Sequence, residues 1–181
     1  DRGIPMRVIE SPGMEREAYD KLVLDELRTH EVELVCLAGF MRLLSASFIQ
    51  AFPHRVLNIH PSLLPAFPGL DAQRQALEHG VKITGCTVHV VDEFLDSGPI
   101  LIQSAVPVLD TDTVESLSAR ILVQEHVIYS KAIQLLADDR VTLQGRRALI
   151  REDEYPAPPR SLSRARRTCF LMPPARIPAA E

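Results

Sequence analysis

A short apolar stretch at residues 56–60 is followed at once by proline, and this fixes where a strand must end. Side chains alternate between the two faces of a strand, so Asn58 and His60 are predicted to project from the same face. Pro61 has no backbone N–H to donate and biases His60 away from helical geometry. In open α/β sheets, ligands bind at the carboxyl ends of the strands. The pair is therefore a candidate functional site; the alternative is that both side chains only cap a loop.

Patterns elsewhere in the chain predict strands that alternate with helices. Residues 32–40 form an apolar run that is typical of a parallel strand buried on both faces. Gly85, inside a stretch rich in β-branched residues, indicates a bulge or a close backbone approach. The predicted strands are residues 6–9, 32–40, 56–60, 82–91, 99–108 and 141–143, and the predicted helices are residues 14–31, 45–52, 71–78 and 113–138. This order indicates an α/β fold with a mainly parallel sheet and helices on both faces.

Capping residues predict the helix boundaries. Ser45 is the expected N-cap of the second helix. Asp71 is expected to cap the third helix, which Gly80 ends. Asp112 is expected to cap the last helix, with Glu115 three residues later completing a capping box.

Composition bounds the organisation of the chain. With 181 residues, 46% of them hydrophobic, it suits one domain over residues 1–150. Residues 151–181 hold six of the 14 prolines and carry a net charge of +2, against −6 for the rest, which predicts a poorly ordered Pro- and Arg-rich tail. The net charge of −4 does not indicate nucleic-acid binding. No apolar run reaches the ~20 residues of a membrane helix. The absence of a signal peptide predicts a cytosolic protein, and three scattered cysteines argue against a disulfide framework or a zinc site.

Three polar side chains at predicted strand ends or turns form a candidate catalytic set. They are Asn58, His60 and Asp96, the last in a predicted turn at residues 92–99. Asn58 can donate to a developing oxyanion, His60 can act as a general acid, and Asp96 can orient His60 and raise its pKa. No motif positions a Ser or Cys nucleophile, and no GxGxxG, P-loop or HExxH motif occurs. The residues alone favour direct transfer and leave a transferase and a hydrolase open.

Two further charged residues have simple structural interpretations beside a functional one. Glu125 falls in the middle of the apolar stripe of the last helix, where a carboxylate is unfavourable unless it is paired or near water. It either lies at the rim of the core or faces a site. Arg16 lies one turn before Tyr19 on the first helix, where a solvated charge is the simpler interpretation.

Several short motifs occur in one order along the chain. They are NIHPSLLP at 58–65, PG at 68–69, RQAL at 74–77, GCTVH at 85–89 and DSGP at 96–99. From about residue 3 to about residue 150, this run resembles the phosphoribosylglycinamide formyltransferases, and it is far more specific than the Asn–His pair alone. That family has a Rossmann-like α/β fold. It moves a formyl group from 10-formyltetrahydrofolate to the amine of glycinamide ribonucleotide in purine synthesis.

The resemblance implies a role for each candidate residue. Asn58, His60 and Asp96 would be the catalytic trio, with His60 as the proton donor. Asp96 would raise the pKa of His60 and help to move the proton from the attacking amine. Glu125 would contact glycinamide ribonucleotide, and His89 lies near the site without a catalytic role. The implied folate pocket consists of Arg16, Met41, Arg42, Leu43, Leu44, Asn58, Asp92, Glu93, Phe94, Leu95 and Asp96.

The resemblance also implies partners and a location. It implies 10-formyltetrahydrofolate as co-substrate, no metal, and small-molecule substrates rather than nucleic acid or membrane. It further implies a cytoplasmic monomer or weak homodimer. The family begins with a strand and a Gly-Ser-Asn loop that holds the substrate phosphate at a helix N-terminus. Nothing like this loop stands before residue 1, so we expect an N-terminally incomplete domain that binds the ribonucleotide weakly.

Three alternatives share parts of this pattern. Methionyl-tRNA formyltransferase carries an RNA-binding domain, and the acidic body of the chain argues against it. Formyltetrahydrofolate hydrolase shares the trio, but Pro61 and the RQAL motif fit the ribonucleotide enzymes better. A folate-binding remnant without turnover is the alternative of another class.

Overall fold

The computed structural model describes residues 6–151 and 168–172. Predictions for residues 1–5 and for most of the tail lie outside the described residues. The helices are α1 (Arg16–Thr29), α2 (Ala46–Ala51), α3 (Ala72–Glu78) and α4 (Val114–Ala137). The strands are β1 (Val32–Leu37), β2 (Val56–His60), β3 (Ile83–Val90), β4 (Ile100–Pro107), β5 (Val141–Gln144), β6 (Arg147–Ile150) and β7 (Thr168–Met172).

The described strands form one mixed sheet with the order β5-β6-β4-β3-β2-β1-β7. β1 pairs in parallel with both β2 and β7, and β4 pairs in parallel with β6. β3 runs antiparallel to β2 and β4, and β5 runs antiparallel to β6. The predicted α/β class is confirmed, and the strand that ends at His60 lies between a parallel and an antiparallel neighbour.

Helices cover both faces of the sheet, as predicted, and β1 shows why. Leu34 and Cys36 belong to the apolar core that α4 covers, whereas Val35 and Leu37 pack in a second core with α1 and α2. This alternation is the two-residue period of a strand buried on both faces. Leu37 stands opposite Asn58 in the parallel register. Asn58 therefore projects from the face that α4 does not cover.

The first turn of α4 differs from the prediction. Thr113 is the N-cap: its side chain accepts from the Ser116 N–H at 3.2 Å, and the Ser116 hydroxyl accepts from the Thr113 N–H at 3.0 Å. Asp112 instead accepts two bonds of 2.7 Å from the Arg120 guanidinium, which holds the pKa of Asp112 far below its usual range. The predicted capping box of Asp112 and Glu115 is wrong by one residue, because Asp112 has a charged partner.

Two other helix boundaries test the same reasoning. Ser45 caps α2 as predicted, accepting from the Phe48 N–H at 3.3 Å. α3 ends before Gly80, whose φ of 65° suits glycine. Asp71, however, has a left-handed backbone with φ of 56° and makes no side-chain cap. The prediction for Asp71 is right in position and wrong in mechanism.

The sequence pattern missed or misplaced three strands. Residues 6–9 lie outside any strand, and Met6 and Val8 are exposed, so the predicted first strand is wrong. β6 was not predicted; it forms a hairpin with β5 across Gly145, whose φ is 57°. β7 lies in the segment predicted to be poorly ordered, and it pairs along β1. Its five residues contain neither proline nor charge, unlike the rest of the tail.

Candidate active site

The end of β2 brings together the first two candidate residues. Asn58 and His60 project from one face, as predicted, and antiparallel pairing places His89 opposite Asn58 and Thr87 opposite His60. The Asn58 side-chain nitrogen lies 3.2 Å from His89 Nε2. Two polar pairs therefore stand side by side at the end of the strand, on the face opposite α4.

Asp96 reaches the same place from the turn between β3 and β4. Its Oδ2 lies 3.5 Å from His60 Nδ1, and the Asp96 side chain is only 9% exposed. The Gly69 N–H donates to the same oxygen at 2.8 Å. Asp92 shapes the turn by accepting from the Ser97 hydroxyl at 2.9 Å. The three residues named as a trio from the sequence are thus in one cluster, in which His60 is buried and Asn58 and Asp96 are half-buried.

The His60 ring faces an acceptor at each nitrogen. Nε2 lies 2.8 Å from the carbonyl oxygen of Phe67, which can only accept, so Nε2 carries a hydrogen. Nδ1 faces the Asp96 carboxylate. The doubly protonated ring can donate to both partners, whereas a neutral ring satisfies only one of them. This arrangement suits a group that holds a proton and passes it on.

His89 is the polar residue to which the sequence assigned no role. It is 2% exposed, with Nδ1 at 3.2 Å from the Val90 carbonyl oxygen and Nε2 at 3.8 Å from Asp96 Oδ1. Burial lowers the pKa of His89, and this outweighs the opposing influences of the Val90 carbonyl and of Asp96. The signal that could have found it is register: once β3 is antiparallel to β2, His89 must face Asn58.

Two exposed apolar segments lie on loops linked to the cluster: one directly precedes Asp96, and the other follows β1, whose last residue, Leu37, stands opposite Asn58. Met41 and Leu43 are about half exposed, and Phe94 and Leu95 are 73% and 57% exposed. Glu93 between the turn residues is also exposed, whereas Leu44 is buried. Apolar side chains left in solvent on two loops suit the walls of a ligand site.

The two arginines of the implied folate pocket differ in their surroundings. Arg42 donates to the Met14 carbonyl oxygen at 3.1 Å, and its guanidinium carbon lies 4.8 Å from the centre of the Tyr19 ring. These contacts hold the loop before α2 against α1. Asp20 adds a third contact, because its Oδ2 accepts from the Ser45 N–H at 2.6 Å. Arg16 is exposed at the first residue of α1.

Glu125 lies on the other face of the sheet, level with the end of β2. It is half-buried, and burial raises the pKa of its carboxyl group. Burial, and next the charge of Glu125, raises the pKa of the buried Cys86 to about 12. The neighbouring Gln124 accepts from the Ser104 hydroxyl at 2.9 Å, and Ser104 on β4 stands opposite Cys86, so Glu125 lies near Cys86. Cys86 stands one residue beyond the Thr87–His60 pair. Glu125 is thus near the same sheet edge as the trio, with α4 on the opposite face.

Tyr129, one turn after Glu125, ties α4 to the strand ends. Its hydroxyl donates to the Leu37 carbonyl oxygen at 2.7 Å and lies 3.3 Å from that of Leu57. Leu37 is the last residue of β1, and Leu57 precedes Asn58 in β2. The side chain thereby fixes the position of α4 along the direction of both strands.

Neither a metal-ligand cluster nor a membrane-spanning helix occurs within residues 6–151 and 168–172. In this part of the chain, no group of three or more His, Cys, Asp or Glu side chains is arranged to hold a metal ion. The helices of the same residues include none that is long and apolar enough to cross a membrane.

Comparison with known proteins identifies the class to which this fold and this site belong. Residues 1–133 match the sequence model described as formyl transferase, so the chain belongs to the formyl transferase family. The resemblance read from the motifs is confirmed at this level.

Within the family, several relatives carry the name phosphoribosylglycinamide formyltransferase or glycinamide ribonucleotide transformylase. The chain is 46% identical over 134 residues to phosphoribosylglycinamide formyltransferase of Bacillus subtilis. The match covers 74% of this chain and 69% of that protein. It is 58% identical to the crystal structure of glycinamide ribonucleotide transformylase 1 from Symbiobacterium toebii, with a TM-score of 0.75 over 76% of this chain and 65% of that one. It is 49% identical over 141 residues to the trifunctional purine biosynthetic protein adenosine-3 of Chironomus tentans. The match covers 77% of this chain and 10% of the length of that protein.

Proposed function

We propose that the chain transfers the formyl group of 10-formyltetrahydrofolate to the amine of glycinamide ribonucleotide, a step of purine biosynthesis. The observation that carries the proposal is the cluster of Asn58, His60 and Asp96 at the end of β2, on a chain similar to phosphoribosylglycinamide formyltransferases. Residues 1–150 are the proposed catalytic domain. The proposal includes small-molecule partners only, a cytoplasmic location and a monomer or weak homodimer.

The cluster supports direct attack through a tetrahedral intermediate. The amine of the ribonucleotide bonds to the formyl carbon, and the carbonyl oxygen becomes an oxyanion. Asn58 donates to that oxyanion through its amide, and His60 donates as the general acid. The amine loses a proton with the help of Asp96. The bond from the formyl carbon to folate N10 breaks, and N10 takes a proton as it leaves.

The proposed folate pocket uses the loop before α2 and the turn that carries Asp96. Met41, Leu43, Phe94 and Leu95 offer exposed apolar surface for the pterin and its neighbouring ring. The contacts of Arg42 with α1 support a role in holding the loop. The remaining proposed members are Arg16, Leu44, Asn58, Asp92, Glu93 and Asp96.

Formyl transfer assayed on the full chain tests the proposal. We expect formylation of glycinamide ribonucleotide that depends on 10-formyltetrahydrofolate, followed by the absorbance of the tetrahydrofolate product. Release of formate at the same rate without ribonucleotide would instead indicate a hydrolase. Folate binding with neither product would indicate a binding protein without turnover, and either result would overturn the proposal.

Replacing Glu125 by glutamine should raise stability at neutral pH while it weakens use of the ribonucleotide. Because burial raises the pKa of Glu125, the native state disfavours its charged form. Stability is therefore lost as the pH rises from 4.5 through the raised value, and glutamine removes this loss. We expect the urea midpoint of Glu125→Gln to exceed that of wild type at pH 7, and this difference to disappear near pH 4. The KM for the ribonucleotide should rise about 10-fold, as for a lost bond to a charged group, with folate affinity unchanged.

The matched control is Glu115→Gln on the same helix. Glu115 is exposed, and a hydrogen bond from its own backbone N–H lowers its pKa. Replacing Glu115 by glutamine should therefore not raise the urea midpoint at pH 7. Equal losses of ribonucleotide use and folate affinity in Glu125→Gln, with a lower urea midpoint, would contradict the assignment.

A further inference from the structure

His89 is buried in the catalytic cluster without a part in the proton transfers. It is fully enclosed on β3 directly opposite Asn58. Its Nδ1 lies 3.2 Å from the Val90 carbonyl oxygen, and its Nε2 lies 3.2 Å from the Asn58 amide nitrogen. Asp96 Oδ1 is farther away, at 3.8 Å from Nε2. The two short contacts determine which form of the ring fits.

The two contacts together select one tautomer. A carbonyl oxygen can only accept, so Nδ1 must carry the hydrogen that points to Val90. An amide NH₂ group can only donate, so Nε2 must offer its lone pair to Asn58. A ring with a hydrogen on Nε2 would set one donor against another. Only the neutral ring protonated at Nδ1 satisfies both neighbours.

We propose that His89 is a positioning residue that holds the Asn58 amide in the orientation required for catalysis. With Nε2 as acceptor, the Asn58 nitrogen points to His89 through one N–H and keeps its second N–H for the oxyanion. Because Nδ1 donates to Val90 and burial disfavours a second proton, Nε2 keeps its lone pair, and a flipped amide would set its carbonyl oxygen against that lone pair. The inference rests on the proposed function, because it presumes that Asn58 donates to the oxyanion.

The charged neighbours act on His89 in opposite directions. From the turn, Asp96 and Asp92 favour a proton on His89. From β2, the neighbouring His60 disfavours it, as does burial, which is the strongest influence and lowers the pKa of His89. A protonated His89 would donate from Nε2 towards Asp96 and release the Asn58 amide. The enclosed position of the ring thus keeps the acceptor in place at neutral pH.

A double-mutant cycle measures whether His89 acts through Asn58. In His89→Phe we expect kcat to fall about 10- to 100-fold, up to the loss typical of a missing oxyanion donor, with both KM values within about threefold of wild type. His89→Gln, whose side-chain oxygen can accept from Asn58, should recover most of that loss. On an Asn58→Ala background, His89→Phe should lower kcat by no more than about twofold further. His54→Asn, an exposed histidine before β2, serves as control and should match wild type.

A full additional loss on the Asn58→Ala background would overturn the inference, since His89 would then act by another route. A spectroscopic measurement needs no activity: ¹⁵N NMR of histidine-labelled protein at pH 7 should show His89 as the neutral ring protonated at Nδ1. An imidazolium or an Nε2–H ring would also overturn the inference. If wild type transfers no formyl group while the NMR result holds, the proposed function fails and the tautomer assignment stands.

Discussion

Replacing His60 by alanine should lower kcat for formyl transfer by at least about 100-fold, as expected for the loss of a general acid. The His60 ring bridges the Asp96 carboxylate and the Phe67 carbonyl, so its removal leaves both acceptors without their imidazole partner. Folate binding should persist, because the exposed apolar loops are untouched. Steady-state rates with both substrates saturating, together with a folate titration, measure the two effects.

The control for His60→Ala is again His54→Asn, which changes an exposed histidine at the opposite end of β2. The urea midpoint of both variants should be measured, because His60 is buried. An unchanged kcat in folded His60→Ala would rule out the mechanism. A loss of rate that follows the loss of folded protein would show only a structural role.

Replacing Gly98 by alanine should affect both stability and turnover. A Cβ atom at residue 98 would lie 1.8 Å from the Val90 carbonyl oxygen, a contact that no real side chain makes. The same carbonyl contacts His89 Nδ1, and the Val90 N–H donates to the Pro99 carbonyl at 2.9 Å. Relieving the overlap must therefore move the turn that carries Asp96. We expect a destabilisation of about 1–3 kcal/mol, typical of overpacking, and a kcat lower by about 100-fold, typical of a 1 Å misplacement.

Gly13→Ala is the matched control, because a Cβ atom there meets no atom within 4 Å and only the positive φ of 73° opposes the change. This substitution should lower the free energy of unfolding by about 1–2 kcal/mol and leave kcat unchanged. Urea unfolding and steady-state kinetics on both variants make the test. Full activity in Gly98→Ala would show that the turn adapts without moving Asp96, and would contradict the expected coupling.

Local patterns predicted those parts of the site that lie on a single strand. The alternation of β2 was enough to place Asn58 and His60 together, because a strand leaves only two directions for a side chain. Asp96 was a candidate by its place in a predicted turn, but that pattern could not fix its side chain beside His60, since a turn of eight residues can fold to either face. His89 required the register of β3, and nothing in residues 82–91 shows that this strand is antiparallel to β2.

The errors in the fold arose where a residue has a better partner than the local rule assumes. Asp112 satisfies the sequence rule for a cap, but Arg120, two turns later, binds it more strongly than a helix N–H does. β7 was missed because five strand-forming residues stand inside a Pro- and Arg-rich segment whose average composition predicts disorder. Its pairing with β1 depends on a partner more than 130 residues earlier in the chain.

The hydroxyl of Tyr129 has a consequence for the kinetics of the proposed reaction. Because it bonds α4 to the ends of β1 and β2, it fixes the position of Glu125 along the sheet through contacts that involve none of the proposed substrate-binding side chains. In the proposed reaction, neither substrate then has to assemble the binding place of the other. Formyl donor and acceptor should therefore add in random order, each with an affinity that the other leaves unchanged.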